Sequence, residues 1–120
     1  MAERPGITEL LEAGLRATSL RRDVIANNIA NVRTPGFRRS EVLFEERLAE
    51  AMRSGGGVAA ADLAATTQQP RNTPVSADGN DVSLDVEVGE MVKNDVRHKI
   101  YLRLLNGTYR KMEMAVRGEF

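Results

Sequence analysis

His98 is the only histidine in this 120-residue chain, and Asp95 precedes it by three positions, the spacing at which two side chains on a helix can share a hydrogen bond. Acid–base chemistry needs more than such a pair. No Ser or Cys nucleophile is fixed beside it by spacing and no oxyanion donors are visible, so a triad is unsupported, and a lone histidine on a helical seam reads as packed or solvated. Asp78, Asp81 and Asp85 bring three carboxylates close together in sequence. Their spacing misses the EF-hand calcium loop and no bidentate Glu closes it, so they read as carboxylates at the start of a helix. Gly55-Gly56-Gly57 lacks the following Lys-Ser/Thr of a phosphate-binding loop and reads as linker. Cysteine is absent, which removes disulfides and thiolate zinc sites. The chain thus presents no catalytic set, no cofactor-binding set and no metal-ligand set, and a structural protein is expected in place of an enzyme.

Amide chemistry is more prominent. Asn27, Asn28 and Asn31 fall within five positions, although asparagine is a poor interior helix former, so some interaction must offset the cost. Asn27 and Asn31 share a helical face at i and i+4 and, buried between helices, could fix register through their paired donors and acceptors. Exposure of all three, or use of Asn31 to end the helix, fits the sequence equally well. Thr34-Pro35-Gly36-Phe37 follows, with Pro-Gly in the order that suits the two central positions of a type II turn. Gly107 beside Asn106 marks either a close helix approach, a kink or a plain surface position.

Two long helices must carry these groups. From Ile7 to about Val32, Leu11, Leu15, Thr18, Arg22, Ile25, Ile29 and Val32 alternate steps of four and three, one face of an amphipathic helix with Thr8 as its expected N-cap. Residues 40 to 53 form a shorter predicted helix with Val42 or Leu43, Phe44, Leu48 and Met52 on its apolar side. From Val58 to Asn80 there is neither sustained periodicity nor bulk, so a flexible or extended link is expected, with a helical turn allowed at Ala59–Ala61 and Leu63–Ala65 and an extended Thr73-Pro74-Val75. The last segment has the strongest repeat: Leu84, Val88, Met91, Asp95, His98, Leu102, Leu105, Tyr109, Met112 and Val116 follow strict four-three spacing between a Ser83 N-cap and a Gly118 stop. At 1.5 Å per residue it would be about 50 Å long, and its seven-residue repeat favours coiled-coil packing. Acidic residues (Asp81, Asp85, Glu87, Glu90, Asp95) crowd its start and basic ones (Arg97, Lys99, Arg103, Arg110, Lys111, Arg117) its end. An antiparallel first helix would set Glu9 and Glu12 near the basic end and Arg21, Arg22 and Arg33 near the acidic start.

The expected fold is therefore all-α: long N- and C-terminal amphipathic helices packed as an antiparallel coiled-coil hairpin, with a short second helix and a flexible or extended middle. Three segments follow, 1–37, 38–80 and 81–120. Five aromatic residues with no Trp give little bulk for an isolated core, which favours burial against partner chains. Seventeen basic and seventeen acidic residues cancel, so no overall field draws the chain to nucleic acid or an anionic membrane. The amino terminus lacks an apolar signal core, and no apolar run is long enough to span a bilayer.

The stretch Ala26-Asn27-Asn28-Ile29-Ala30-Asn31 followed by Thr34-Pro35-Gly36-Phe37 is similar to the signature shared by flagellar rod and hook proteins. Gly79-Asn80-Asp81-Val82-Ser83-Leu84-Asp85, Met91-Val92-Lys93-Asn94, Leu104-Leu105-Asn106-Gly107 and Tyr109-Arg110-Lys111-Met112 resemble the proximal-rod branch of that family. The likeness covers roughly residues 8 to 53 and 79 to 118. Val86, Val88 and Gly89 depart from it and predict an irregular start to the last helix. The resemblance implies a structural subunit of the proximal rod of the bacterial flagellar basal body, exported by the type III apparatus without a cleaved signal and assembled in the periplasm into a torque-transmitting tube around the export channel. It implies packing roles for Asn27, Asn28, Ile29, Asn31, Thr34, Pro35, Gly36 and Phe37 and for the Leu84–Val116 seam. Implied partners are other copies of the chain, the base component FliE and the short rod protein FlgC, near the membrane-supramembrane ring and the export gate. The alternatives are FlgC itself or a coiled-coil adaptor unconnected with flagella.

Overall fold

The computed structural model describes residues 6–53 and 64–118. Its elements run α1 (Ile7–Ala30), β1 (Glu41–Leu43), α2 (Glu45–Arg53), β2 (Thr66–Gln68) and α3 (Leu84–Arg117). The two long helices pack side by side and run antiparallel: Thr18 meets His98, Arg21 meets Asn94 and Asn28 meets Glu87, so numbers rise on one helix as they fall on the other. The body is an elongated slab of 64 × 30 × 17 Å. The expected helical hairpin is present.

Several local expectations change. Gly6, not Thr8, is the N-cap of α1, without a side-chain cap, and the helix ends at Ala30 in place of Val32. Residues 41–43 are extended, so the second helix starts only at Glu45. The cause is visible in the hydrogen bonds. Asn28 holds both the N–H and the C=O of Ser40, Asp81 takes the Arg39 N–H, and Arg21 donates to the Val42 carbonyl at 3.3 Å. With its backbone groups engaged by side chains, this stretch has no need of helical bonds, and β-branched Val42 suits the extended form. β1 pairs antiparallel with β2, Val42 opposite Thr67, so Thr66–Gln68 takes the extended form of the flexible or extended link that was expected. Gly55–Gly57, Ala59–Ala61 and Leu63 lie outside the described residues, as does the side chain of Met52; Ala64 and Ala65 are not helical.

α3 begins regularly at Leu84 despite Val86, Val88 and Gly89. Ser83 is its N-cap but makes no side-chain cap bond, and Gly118 closes it in the left-handed conformation, φ 75°. The apolar core is small, with Ala13, Ala17 and Phe44 at its centre and Leu10, Leu48, Ala65 and Tyr101 around it. Phe44, at the junction of β1 and α2, thereby anchors the middle segment to α1.

Candidate assembly interface

The amide-rich end of α1 and the Gly79-Asn80-Asp81 stretch form one interlocked unit. Gly36 lies at φ 74° and Phe37 donates its N–H to the Thr34 carbonyl at 3.2 Å, which closes the turn as the Pro-Gly order predicts. Asn80 reaches into it from 46 residues away along the chain, donating to the carbonyls of Asn31 (2.9 Å) and Thr34 (2.8 Å), each of which also accepts a backbone N–H within the turn. Gly36 N–H bonds back to the Asp78 carbonyl at 2.9 Å. A Cβ on Gly79 would lie 3.3 Å from Gly36 Cα, and Gly79 itself is at φ 85°, so the close approach needs glycine on both counts. Asp81 is buried, accepting from Arg39 N–H, Arg38 Nε (3.2 Å) and the Thr73 hydroxyl. Burial alone would raise its carboxyl, but those hydrogen bonds and the Arg38 charge outweigh it and hold it below the usual range. Asp78 orders its own turn through Ser76 and Asn80 N–H. Neither Asp78 nor Asp81 serves as the helix-start carboxylate read from sequence; of the three aspartates only Asp85 lies in the first turn of α3, together with Glu87.

The asparagines divide their labour differently from the expected pairing. Asn28 is the register residue: it is fully buried, holds Ser40 by both amide groups (2.8 and 3.0 Å) and donates to Glu87 of α3 at 3.2 Å. Asn27 is exposed, and Asn31 bonds to the Asn27 carbonyl at 2.8 Å and to the Thr34 hydroxyl, ending the helix. Of the two uses the sequence allows, Asn31 thus takes the one that ends the helix and Asn27 is exposed, while of the three register candidates Asn28 alone is buried between the helices. Ile29 and Phe37 are half-buried; Thr34, Pro35 and Gly36 are exposed.

The seam between α1 and α3 is largely polar. Glu87, 0% exposed, also accepts from Arg39 Nε at 2.6 Å. Asn94, equally buried, accepts from Arg21 at 3.3 Å and donates to the Thr18 carbonyl at 2.8 Å. Arg21 grips Glu45 with two nitrogens, and Tyr101 donates to the same carboxylate at 3.2 Å. Burial tends to raise Glu45, yet the bonds and charge of Arg21, its backbone bond and the charge of Arg97 bring it below the ordinary value. Burial first, and then the Glu45 charge and bond, push the Tyr101 phenol up to about 12. The Thr18 hydroxyl donates to Leu15 O at 3.0 Å, which leaves His98 Nδ1 to act as donor across the 2.7 Å contact. Asp95 pairs with Arg22 at 3.2 Å, so the Asp95–His98 pair considered above is not formed. Glu12 meets Tyr109 at 2.9 Å, whereas Arg21 finds Glu45 rather than the start of α3. Sequence reasoning also missed Gly14, where a Cβ would come within 2.9 Å of the Tyr101 ring; Gly107, which drew attention instead, has nothing within 4 Å.

Of the predicted C-terminal seam, Leu105 is buried and Met91 and His98 are half-buried. Leu84, Val88, Leu102, Tyr109, Met112 and Val116 are exposed, and so are Val92, Val96, Ile100 and Leu104 between them. α3 therefore turns Glu87, Asn94 and Tyr101 toward α1 and directs most of its large apolar residues outward. An apolar repeat alone does not reveal which side of a helix faces its own chain, and here polar groups on α1 match the neighbouring stripe of Glu87, Asn94 and Tyr101, which runs beside Met91, His98 and Leu105 of the repeat. No described helix is long and apolar enough to cross a membrane.

The sequence model for the flagella basal body rod protein family matches residues 11–38, α1 beyond its first turn and the turn that follows it. The chain is 32% identical over 117 residues to the flagellar basal body rod protein FlgB of Aeromonas hydrophila, covering 88% of each. It belongs to the FlgB family of flagellar basal body rod proteins. FlgB of Cereibacter sphaeroides is 34% identical over 110 residues, 82% of this chain and 84% of that protein. A shorter likeness, 44% over 45 residues, links 38% of this chain to 17% of the rod protein FlgG of Buchnera aphidicola. These relatives do not favour the FlgC or free-adaptor alternatives. The FlgB-family chain is a structural subunit of the flagellar rod.

Proposed function

We propose that this rod subunit stands in the proximal rod, exported through the type III apparatus without a cleaved signal and assembled in the periplasm. Other copies, FlgC and FliE are its neighbours, close to the membrane-supramembrane ring and the export gate. The outward apolar face of α3 carries the reading. Val92, Val96, Ile100 and Leu104 stand about half exposed at four-residue steps, and full burial of such a side chain is worth roughly 1.5–3 kcal/mol. A chain that satisfies its internal seam with hydrogen bonds and keeps this surface for neighbours is built to assemble. The exposed positions of the Leu84–Val116 row and of the Asn27–Phe37 stretch meet adjoining subunits, with segments 1–37 and 81–120 forming the tube and 38–80 bracing it. Its work is mechanical: packed helices transmit torque around an open channel, and no residue acts as a catalyst.

Deletion of the gene tests this directly. Loss of motility and of rod assembly, both restored by the native chain, is expected; a deletion strain that still builds complete rotating flagella refutes it. Replacing His98 with Gln preserves motility under this reading, and loss of motility with the rod assembled would favour a chemical role.

A further inference from the structure

The middle of α3 carries charge of one sign. Between Asp95 and Glu113 the chain holds Arg97, Lys99, Arg103, Arg110 and Lys111 and no acid. The bounding acids are already paired, Asp95 with Arg22 of α1 and Glu113 with Arg117, and Glu119 lies outside the described residues. On the elements packed against this stretch, Glu12 accepts from Tyr109 and Glu45 is gripped by Arg21, while Glu9 stands exposed a turn nearer the start of α1. Lys99, Arg103 and Arg110 are exposed and follow one another at steps of four and seven, which keeps them on one side of the helix. Among the described residues they make no ion pair. Val96, Ile100 and Leu104 stand about half exposed beside them. One trough is lined by those three apolar residues with Lys99 and Arg103, and a second, sharing both cations, adds Leu102, Gly107 and Arg110. Together they make one continuous strip, apolar and cationic, with no acid in its lining.

We infer that this strip binds a bilayer containing anionic phospholipid before the chain is packed into the rod. Val96, Ile100, Leu102 and Leu104 enter the boundary between headgroups and acyl chains, and Lys99, Arg103 and Arg110 meet the phosphates. An interfacial helix has this make-up, apolar residues on one face with Lys and Arg beside them. The helix also lies along an elongated body of 64 × 30 × 17 Å, a shape that can rest flat on a surface. A protein covering the strip would have to supply a fixed acid for each cation or leave charge buried and unpaired. Mobile headgroups impose no such geometry, and the aliphatic stems of Lys and Arg lie along apolar surface while their heads stay in the polar layer. The chain as a whole has a formal net charge of zero, so the attraction belongs to this strip alone. Only the timing rests on the rod-assembly reading, because packing in the rod covers the same apolar residues and so excludes lipid.

The test is flotation of the purified full chain with vesicles of phosphatidylcholine alone or of equal parts phosphatidylcholine and phosphatidylglycerol. Binding to the anionic vesicles is expected to be at least about tenfold the stronger, given what each Lys or Arg contributes near an anionic surface, and to weaken as salt is raised. Lys99→Glu/Arg103→Glu/Arg110→Glu brings it down to the neutral-vesicle level, and Val96→Ser/Ile100→Ser lowers it several-fold. Arg33→Glu/Arg47→Glu/Arg71→Glu reverses as many charges at exposed positions off α3 and keeps most of the binding. No binding, equal binding to both vesicles, or the same loss in both charge variants overturns the proposal. The chain has no Trp, so Ile100→Trp gives a second readout should a charge variant lose its helicity. Its emission shifts to the blue on anionic vesicles alone, and an unmoved spectrum overturns lipid contact. A chain that ignores vesicles while the α3 charge variant fails to build the rod assigns the strip to a protein neighbour, which also overturns it. A deletion strain with complete flagella overturns the rod reading and leaves the vesicle result standing.

Discussion

A single amide decides how the two long helices register. Asn28 serves Ser40 and Glu87 at once from a fully buried position, so Asn28→Ala strands the Ser40 backbone groups and removes a partner of a buried carboxylate. Each buried polar group left unsatisfied costs about 1–3 kcal/mol. Thermal unfolding followed by circular dichroism is expected to show a loss of about 2 kcal/mol or more for Asn28→Ala, with exposed Asn27→Ala within about 0.5 kcal/mol of the native chain. The glycines give a second contrast. Gly14→Ala drives a Cβ into the Tyr101 ring and is expected to cost about 1–3 kcal/mol as overpacking. Gly107→Ala meets open space in a helix and is expected to stabilise by up to about 1 kcal/mol. Equal melting shifts for the two would dispose of the claim that Gly14 permits close packing.

At the scale of elements, what could be read in the sequence was whatever rests on local periodicity. Both long helices, their antiparallel sense, the Thr34–Phe37 turn and the Gly118 stop are local or charge-pattern features, and all appear. Residues 40–44 looked helical because Phe44 and Leu48 have helical spacing; the side chains that hold them extended come from Asn28, Arg21 and Asp81, remote in sequence and invisible to any window. The candidate assembly site was legible as a list of apolar positions and illegible as a direction, since the polar partners on α1 that claim the Glu87–Asn94–Tyr101 stripe of α3 show no period of their own. Those ionic links make the fold sensitive to acid. Glu45 and Asp81 are held below their ordinary values of 4.5 and 3.8. The unfolded chain therefore binds more protons as pH falls, so their contribution is complete above the ordinary carboxylate range and disappears as pH drops through the lowered values. The melting temperature is expected to hold between pH 7 and about 5 and to fall below about 4. Glu45→Gln should flatten part of that fall. Tyr101 has the opposite sign: with its phenol raised to about 12, its contribution is present below the ordinary value of 10.0 and is lost as pH climbs through the raised one.

For the whole molecule, the proposed assembly would use the outward face of α3 while folding uses the polar seam against α1, and that separation can be measured. Val92→Asp or Val96→Asp changes a side chain that is about half exposed, so the isolated chain should melt within about 0.5 kcal/mol of native while rod assembly and motility are lost. A substitution that unfolded the chain and disrupted assembly to the same degree would show that one surface serves both ends. The hairpin also has a temporal consequence. Thr18 meets His98 80 positions away and Asn80 meets Asn31 across 49, so beyond its contacts with residues 40–48 α1 cannot be paired until residues 80 onward exist in the same space. Closure of so long a loop is slow compared with helix formation. A chain emerging end-first from any narrow conduit would thus lack the partner helix of α1 for most of its passage and complete the hairpin only once α3 is released.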